Sequence, residues 1–363
     1  DSMSKVYYTN LEVKEGNSLL KKLKKLLKEA GLETIDFVKK DVALKIHFGE
    51  PGNMAYLRPN YSKVIADYIK ELGGRPFLTD SNTLYVGRRN HGLAHLEAAY
   101  ENGYNPFTTG CHILIADGLK GTDDVEVPID GEYVKNAKIG RAIMDADIFI
   151  SVNHFKGHVM AGFGGALKNI GMGSGSRRGK MEMHNAGKPV VNKEKCIGCK
   201  NCSKYCNQDA FCYDEARKAN INHEKCVGCG RCIGVCPTEA IHTLNDEAKD
   251  IMNKKIAEYS LAVIKDRPNF HINFVINVSP GCDCHAYNDT PIVQDIGIFA
   301  SFDPVSLDQA CVDAVNAHPL LRNIECTKDH FHDIHPNTDW EAGLIHAEKI
   351  GLGTRKYELT EIK

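Results

Sequence analysis

Apolar and polar positions along this chain alternate between two periods. Residues 18–30 place leucines at helical spacing with lysines between them, and Gly31 supplies the stop. The lysine row reads as the solvated outer face of that helix, against the alternative of a membrane-surface helix. Residues 42–48 form a continuous apolar run of strand length. Residues 61–72 return to helical spacing before Gly73-Gly74, and residues 76–79 are a short strand leading into Asp80. A helix over 91–101 and strands over 112–116 and 147–152 follow. The later part repeats the alternation, with a helix near 246–264, strands over 271–278 and 296–300, and a helix over 304–317. Strands alternating with helices in this way predict an α/β fold built on a mainly parallel, wound sheet.

Wound sheets gather ligands at the carboxyl ends of their strands, and the unusual polar sequence of this chain falls there. His47-Phe48-Gly49-Glu50 follows one strand, Asp80-Ser81-Asn82 a second, Asp117-Gly118 a third, Asn153-His154 a fourth and Cys282-Asp283-Cys284-His285 a late one. Five such segments in register predict one composite site. Cys282, Cys284 and His285 are candidate ligands of a further metal, because a C-x-C-H run offers two soft thiolates and an imidazole. Two ordinary loop thiols are the competing reading. Cys111, Cys212, Cys311 and Cys326 sit in apolar or helical contexts and read as packing residues. The histidine-rich segment His330-Phe331-His332-Asp333-Ile334-His335 reads equally well as a surface loop or a metal site.

Between residues 153 and 180 the glycine content predicts a long loop. Glycine at this density lets backbone N–H groups close around an anion or a cofactor. Gly162, Gly164, Gly165, Lys168 and Asn169, together with Glu50 and Asp80, are the candidate cofactor-binding residues. Lys168, Arg177, Arg178 and Lys180 supply positive charge for an anionic cofactor. His154, His158, Lys168 and Asp283 are the candidate catalytic groups, the histidines as proton carriers or metal ligands. The segment is neither a Walker A loop nor a G-x-G-x-x-G fingerprint, so no nucleotide is implied. A lid or a domain connector is the competing reading.

The strongest motif is made of cysteines. Nine of the fourteen in the chain fall between Cys196 and Cys236, in two runs of C-x2-C-x2-C-x3-C spacing. The first is Cys196, Cys199, Cys202 and Cys206; the second is Cys226, Cys229, Cys232 and Cys236, followed by Pro237. The runs are an internal repeat, Asn192-Lys193-Glu194-Lys195-Cys196 against Asn222-His223-Glu224-Lys225-Cys226. Three thiolates spaced two residues apart wrap one face of a cubane, and the fourth reaches the other cluster. The spacing therefore predicts two [4Fe–4S] clusters. One is held by Cys196, Cys199, Cys202 and Cys236, the other by Cys226, Cys229, Cys232 and Cys206. Asn207 stands where a proline usually follows, which alters a turn and not a ligand. A pair of zinc sites is the alternative, but zinc needs neither the third and fourth offsets nor the repeat.

Composition narrows the setting. The 363 residues are 42% hydrophobic and 25% charged with a formal net charge of −2, so no overall field argues for nucleic acid or a membrane as partner. No apolar stretch reaches the roughly 18 residues of a spanning helix. The opening Asp1-Ser2-Met3 lacks the basic and apolar regions of a signal peptide, which points to the cytoplasm. In a reducing compartment clustered cysteines bind metal more often than they form disulfides.

An ordered set of short motifs resembles one family. They are Lys45-Ile46-His47-Phe48-Gly49-Glu50, the run from Pro76 to Gly87, His154-Phe155-Lys156-Gly157-His158, Gly162-Phe163-Gly164-Gly165-Ala166-Leu167-Lys168-Asn169, Cys282-Asp283-Cys284, and the segment from Asp295 through Ser301, Asp303 and Pro304 to Asp308. Together they resemble the prokaryotic "domain of unknown function 362", in its ferredoxin-bearing branch. The resemblance implies that residues 191–243 are a ferredoxin-like insertion in one α/β domain formed by 3–190 and 244–363. Members of that branch often carry a cysteine where this chain has Ser174. The family supplies no settled reaction. The sequence thus favours an oxidoreductase that takes electrons from a redox partner protein or a small-molecule donor. An electron carrier or metal maturation factor, and a non-redox enzyme with structural clusters, remain the alternatives.

Overall fold

The alternation condenses into one eight-stranded sheet. The computed structural model describes the chain apart from residues 1, 85, 86, 185–187, 229 and 244–248, and the side chains at 243 and 249. In chain order the sheet strands are β1 (Ser4–Asn10), β2 (Asp41–Lys45), β3 (Arg75–Asp80), β4 (His112–Ile115), β5 (Ile148–His154), β6 (Asn269–Val275), β7 (Gly297–Ser301) and β8 (Tyr357–Glu361). They lie side by side as β8-β1-β7-β6-β5-β2-β3-β4. Pairing is parallel throughout except at β7, which runs against both of its neighbours. The mixed α/β architecture with a mainly parallel sheet is therefore as the sequence reads.

Both faces of the sheet are covered, which is why its strands are apolar on alternate and on successive positions. Val42, Leu44, Ile148, Ile150, Phe270 and Ile272 join Leu23, Leu26, Ile65 and Ile69 in one core. Ala43, Phe149 and Phe299 join Ile170, Ile256, Leu307 and Val312 in the other. Leu19–Glu29 and Pro59–Glu71 are thus the helices of one layer, and Ala166–Ser174, Lys249–Ile264 and Pro304–Asn316 those of the opposite layer. Each large aliphatic side chain so buried contributes about 1.5–3 kcal/mol.

The chain moves outward from β2 through β3 to β4 and then returns to place β5 on the other side of β2. Strand order reverses there, and the crevice between the carboxyl ends of β2 and β5 is the favoured ligand position of a wound sheet. Asn169 closes the back of that crevice. Its Nδ2 donates to the carbonyls of Lys45 (3.1 Å) and Val152 (3.2 Å) and to Asn153 Oδ1 (2.7 Å), and its Oδ1 accepts from Lys45 Nζ at 2.6 Å.

The structure corrects the reading of residues 153–180 as a loop. They form the end of β5, a hairpin of Lys156–His158 with Gly162–Gly164, and the helices Ala166–Ser174 and Arg177–His184. Glycine here serves close packing. A methyl group at Gly171 would sit 2.3 Å from the Ile256 carbonyl oxygen, and one at Gly165 would sit 2.4 Å from Asp308 Oδ1. Gly162 has φ 88° and faces Trp340 Cβ at 2.8 Å, so both its backbone and its neighbour require glycine. The backbone amides that open helix Ala166–Ser174 do not await an anion, because Ala166 and Leu167 donate to Asp308 at 2.7 and 3.0 Å. Strands β1 and β8 and the helix Trp340–Lys349 were not legible in the periodicity.

The cysteine-rich segment lies between β5 and β6 in sequence and has its own small pairings. Pro189–Val191 pairs antiparallel with Ile241–Thr243, and Phe211–Tyr213 with Ala219–Ile221. The internal repeat is also a structural one. Asn192 N–H donates to the Ala240 carbonyl and Asn222 N–H to the Ala210 carbonyl, both at 2.7 Å. Cys196 and Cys226 then donate back to Asn192 and Asn222 at 3.1 and 3.0 Å. Gly198 and Gly228 take φ 67° and 72° at equivalent places.

Candidate functional site

Two features concentrate the chemistry of this chain: a pair of cysteine-lined cavities, and a buried polar cluster at the carboxyl edge of the sheet. Cys196, Cys199, Cys202 and Cys236 line one cavity together with Gly198, Tyr213, Ala219 and Ala240. Cys206, Cys226 and Cys232 line the other, with Thr122 and Gly230; Cys229 lies outside the described residues. Each run of the repeat therefore contributes its last cysteine to the cavity of the other run. Backbone amides approach the sulfurs, Ala219 to Cys196 at 3.4 Å, Gly228 to Cys226 at 3.4 Å and Ala240 to Cys236 at 3.2 Å. Burial raises the Cys236 thiol, but amides and the Thr238 hydroxyl outweigh it and bring it below its ordinary value. Such donors favour thiolate sulfur.

The second cavity rests on the α/β body. A methyl at Gly230 would meet Leu84 Cδ2 at 2.5 Å and Met181 Cε at 3.1 Å. Leu84 and Met181 share a buried apolar cluster with Cys196, Cys202, Cys232 and Cys236. Asn90 Nδ2 donates to the Gly234 carbonyl at 2.9 Å. The segment that follows β3 thus runs from Asp80 at the sheet edge to the wall of this cavity.

At the sheet edge, Lys45 and Asp80 form a buried ion pair at 2.8 Å. Burial pushes the Lys45 ammonium down, with Asp80 opposing. Burial also acts to raise the Asp80 carboxyl, but the Lys45 charge and the His95 ring 3.6 Å away hold it well below the usual range. Arg89 Nε donates to Glu50 Oε2 at 2.9 Å, and its Nη1 lies 3.7 Å from Asp80 Oδ2. Glu50 Oε1 accepts from the Arg88 amide at 2.6 Å. Asp117 accepts from Asn82 N and Nδ2 at 3.0 and 2.8 Å, and burial lifts its carboxyl to about 6. Lys180 is pushed down to about 7 by burial, against the attraction of Asp117 and Asp80.

The turn after β6 completes the edge. His285 N–H donates to the Cys282 carbonyl at 3.2 Å, which puts Asp283 and Cys284 at the centre of a tight turn. Asp283 is buried against His154, whose Nδ1 donates to its Oδ2 at 2.8 Å while Nε2 donates to the carbonyls of Ile276 (2.8 Å) and Asn277 (3.0 Å). Burial acts to raise the Asp283 carboxyl, and the charges of His154 and Lys156 override it and hold it far below its ordinary value. The segment after β2 clamps the same turn, with Glu50 N–H on the Asp283 carbonyl at 2.8 Å and Asn53 Nδ2 on the carbonyls of His285 and Tyr287 at 3.1 Å.

Cys282 and Cys284 meet His158 here, with ligand atoms within 4.8 Å of one another. The predicted partner, His285, is not part of that group; its ring stacks on Tyr287 at 5.3 Å between centroids. The closeness of the two thiols raises Cys282 and, with the charges of Lys168, Arg89 and Lys156 against the cost of burial, draws Cys284 down to about 6. Lys156 is buried and keeps its charge through the nearby Cys282, Asp283 and Cys284 despite burial. A methyl at Gly164 would sit 3.6 Å from Lys156 Nζ and 3.4 Å from Lys168 Cδ, so Gly164 lies between the two lysines. Neither lysine forms a salt bridge to a carboxylate among the described residues.

The expected site residues therefore divide. Glu50, Asp80, His158, Gly164, Lys168, Asp283, Cys282 and Cys284 gather around the edge. Gly162, Gly165 and Asn169 are committed to packing or to hydrogen bonds within the fold, and both nitrogens of His154 are taken. Arg89 and Lys156 belong to the edge and were given no role by sequence reasoning. The signal for Lys156 was present, a cation between two histidines directly after a strand; for Arg89, in a segment without periodicity, there was none.

Fold and edge together define a mixed α/β protein with a composite polar site at a sheet switch point and a separate cysteine-lined segment. The chain belongs to the family described as "Domain of unknown function (DUF362)", which matches residues 42–313. Among curated proteins it is similar to the thylakoid-associated protein sll1697 of Synechocystis, 29% identical over 161 residues, a match that covers 43% of this chain and 46% of that protein. The match thus spans less than half of that relative's length. Among solved structures it is similar to a structural-genomics target from Thermotoga maritima, with TM-score 0.38 and 11% identity over 93% of this chain and 60% of that one. It is also similar to the lactate racemase apoprotein of Thermoanaerobacterium thermosaccharolyticum, with TM-score 0.38 and 12% identity over 75% of this chain and 51% of that one. Among the described residues no helix is long and apolar enough to cross a membrane.

Proposed function

We propose that this chain is an iron–sulfur oxidoreductase of the cytoplasm that binds two [4Fe–4S] clusters and delivers electrons to an anionic ligand or cofactor at the carboxyl edge of its sheet. The observation that carries the reading is the crossed lining of the two cavities, with Cys236 in the cavity of the first run and Cys206 in that of the second. This is the ligand partition that the spacing calls for in a two-cluster protein. Amide donors at Cys196, Cys226 and Cys236 suit thiolate ligands. Bound there, such clusters supply one-electron chemistry at potentials set by hydrogen bonding, charge and exposure.

The linings of the two cavities support a direction of flow. The cavity that includes Cys206 is walled by Thr122 and packed on Leu84 and Met181, beside the segment that carries Asn82 and Arg89. The cavity that includes Cys199 is lined by the cysteine-rich segment alone, and Cys199 is exposed. Electrons from a partner protein or a small donor enter at Cys199 and leave toward the sheet edge. Lys156, Lys168 and Arg89 hold negative charge at that edge.

Anaerobic purification with iron and acid-labile sulfide analysis tests the reading. About eight of each per chain is expected. Cys236→Ala and Cys206→Ala should each halve both and remove a different reduced-state electron paramagnetic resonance signal. Two zinc ions per chain with no sulfide would overturn the proposal.

A further inference from the structure

The turn Cys282–His285 holds two thiols with their sulfurs within 4.8 Å of one another, and neither the cluster reading nor a metal at that turn uses them well. Cys282 is 1% exposed, while Cys284 is only partly buried. The third member of the group, His158, accepts the amides of Met160 and Ala161 on its Nδ1 at 3.1 and 3.0 Å. Its ring proton therefore sits on Nε2, and neither nitrogen keeps a lone pair for a metal. Lys156 and Lys168 flank Gly164, and with Arg89 their charge acts on Cys284, a cationic setting that favours thiolate over a bound cation. The turn itself is rigidly held, by Asp283 against His154 and by Glu50 and Asn53 on its carbonyls.

We propose that Cys282 and Cys284 are a redox-active pair that cycles between a dithiol and a disulfide, the two-electron terminus of the sheet-edge site. Cys284, open to the site and beside the lysines, is the attacking sulfur; the enclosed Cys282 is its resolving partner. In the reductive direction two electrons, from one-electron donors of the iron–sulfur class, enter the S–S bond and break it. One proton goes to the Cys282 sulfur, and Cys284 keeps its electron pair as a thiolate facing Lys156 and Lys168. The oxidative direction removes the same two electrons and one proton and rejoins the sulfurs. A bridge across a single intervening residue closes a small ring, and strained bridges are the readily reduced ones. The inference rests on the proposed function for the source of its electrons, and not for the chemistry of the pair.

The test uses the full-length protein, equilibrated without oxygen in dithiothreitol redox buffers of stepped ratio, then alkylated and digested. Mass spectrometry of the peptide that holds both cysteines should show one reversible step between a doubly alkylated form and an unalkylated form two mass units lighter than the dithiol. Cys282→Ser and Cys284→Ser should each abolish the step and leave iron and sulfide content unchanged. A pair that stays doubly alkylated across the whole range overturns the proposal, as does a pair protected from alkylation until a chelator releases one equivalent of zinc or iron. Iron and sulfide are measured on the same samples. A reversible step in protein without sulfide would therefore sink the cluster reading and leave the dithiol standing, and full clusters with an inert pair would do the reverse.

Discussion

His154 Nδ1 donates to Asp283 Oδ2 at 2.8 Å, and this single buried contact joins the carboxyl end of β5 to the turn that carries Cys282 and Cys284. The ring is fixed on its other side by two backbone carbonyls, so the pair acts as a strut between the two strands' ends. Asp283→Ala would leave the His154 donor buried without its acceptor. The expected loss is about 3–5 kcal/mol of stability, because the remaining partner is an uncompensated buried polar group. Urea unfolding of the variant and its parent measures it, and a change under about 1 kcal/mol would mean that the strut is not closed in solution.

The Cys284 thiol, drawn down to about 6 by the neighbouring Cys282 thiol and by the lysine and arginine charges, has a testable reactivity. Below that pH it is protonated and slow; above it the thiolate dominates. Its alkylation rate should climb with a midpoint near pH 6, against about 8.5 for an ordinary cysteine. Cys282→Ala, Lys168→Met and Lys156→Met should each move the midpoint upward. A midpoint that stays put in all three would show that the pair and its cations do not act on Cys284.

Lys180 predicts a dependence of stability on alkaline pH. Burial pushes its ammonium to about 7 in the folded chain from an ordinary value of 10.5. Between those values the unfolded chain binds the extra proton, so stability rises with pH across the window and is lost as pH falls through about 7. Lys180→Met should flatten that rise between pH 7 and 10, read from denaturation midpoints of the two proteins side by side. An identical slope in both would place Lys180 in water.

Gly171 tests the close approach of helices Ala166–Ser174 and Lys249–Ile264. Gly171→Ala would drive a methyl to 2.3 Å from the Ile256 carbonyl oxygen, which backbone can relieve only by moving apart. A loss of about 1–3 kcal/mol is expected. Gly351→Ala serves as the comparison, since nothing lies within 4 Å there, although its φ of 80° adds backbone strain alone. Equal effects would mean that conformation and not packing sets the glycine requirement.

Much of this was legible along the chain, and the parts that were not have physical reasons. Residues 61–72 and 304–317 announced helices because their apolar spacing is local, and the structure has Pro59–Glu71 and Pro304–Asn316. Residues 153–180 misled because glycine carries no side chain to show a period. Its density there marks how closely Ile256, Asp308 and Trp340 approach, which no local pattern encodes. β8 stayed hidden because it is an edge strand with no fully buried residue, and β1 because its two buried residues, Val6 and Thr9, lie three apart and show no strand period.

The sequence by itself determined the spacing of the eight cysteines, the α/β alternation and the polar segments that follow each strand. Each of these is a relation between residues a few positions apart. Only the tertiary structure decided which groups meet at the edge: His158 and not His285 beside the two thiols, Asp308 and not an external anion on the helix that follows Gly165, and Arg89 bridging toward Glu50 and Asp80. Buried charges and lone pairs must find partners wherever the chain brings them. Those partners lie far apart in sequence, so the chain crossing fixes them and local spacing does not.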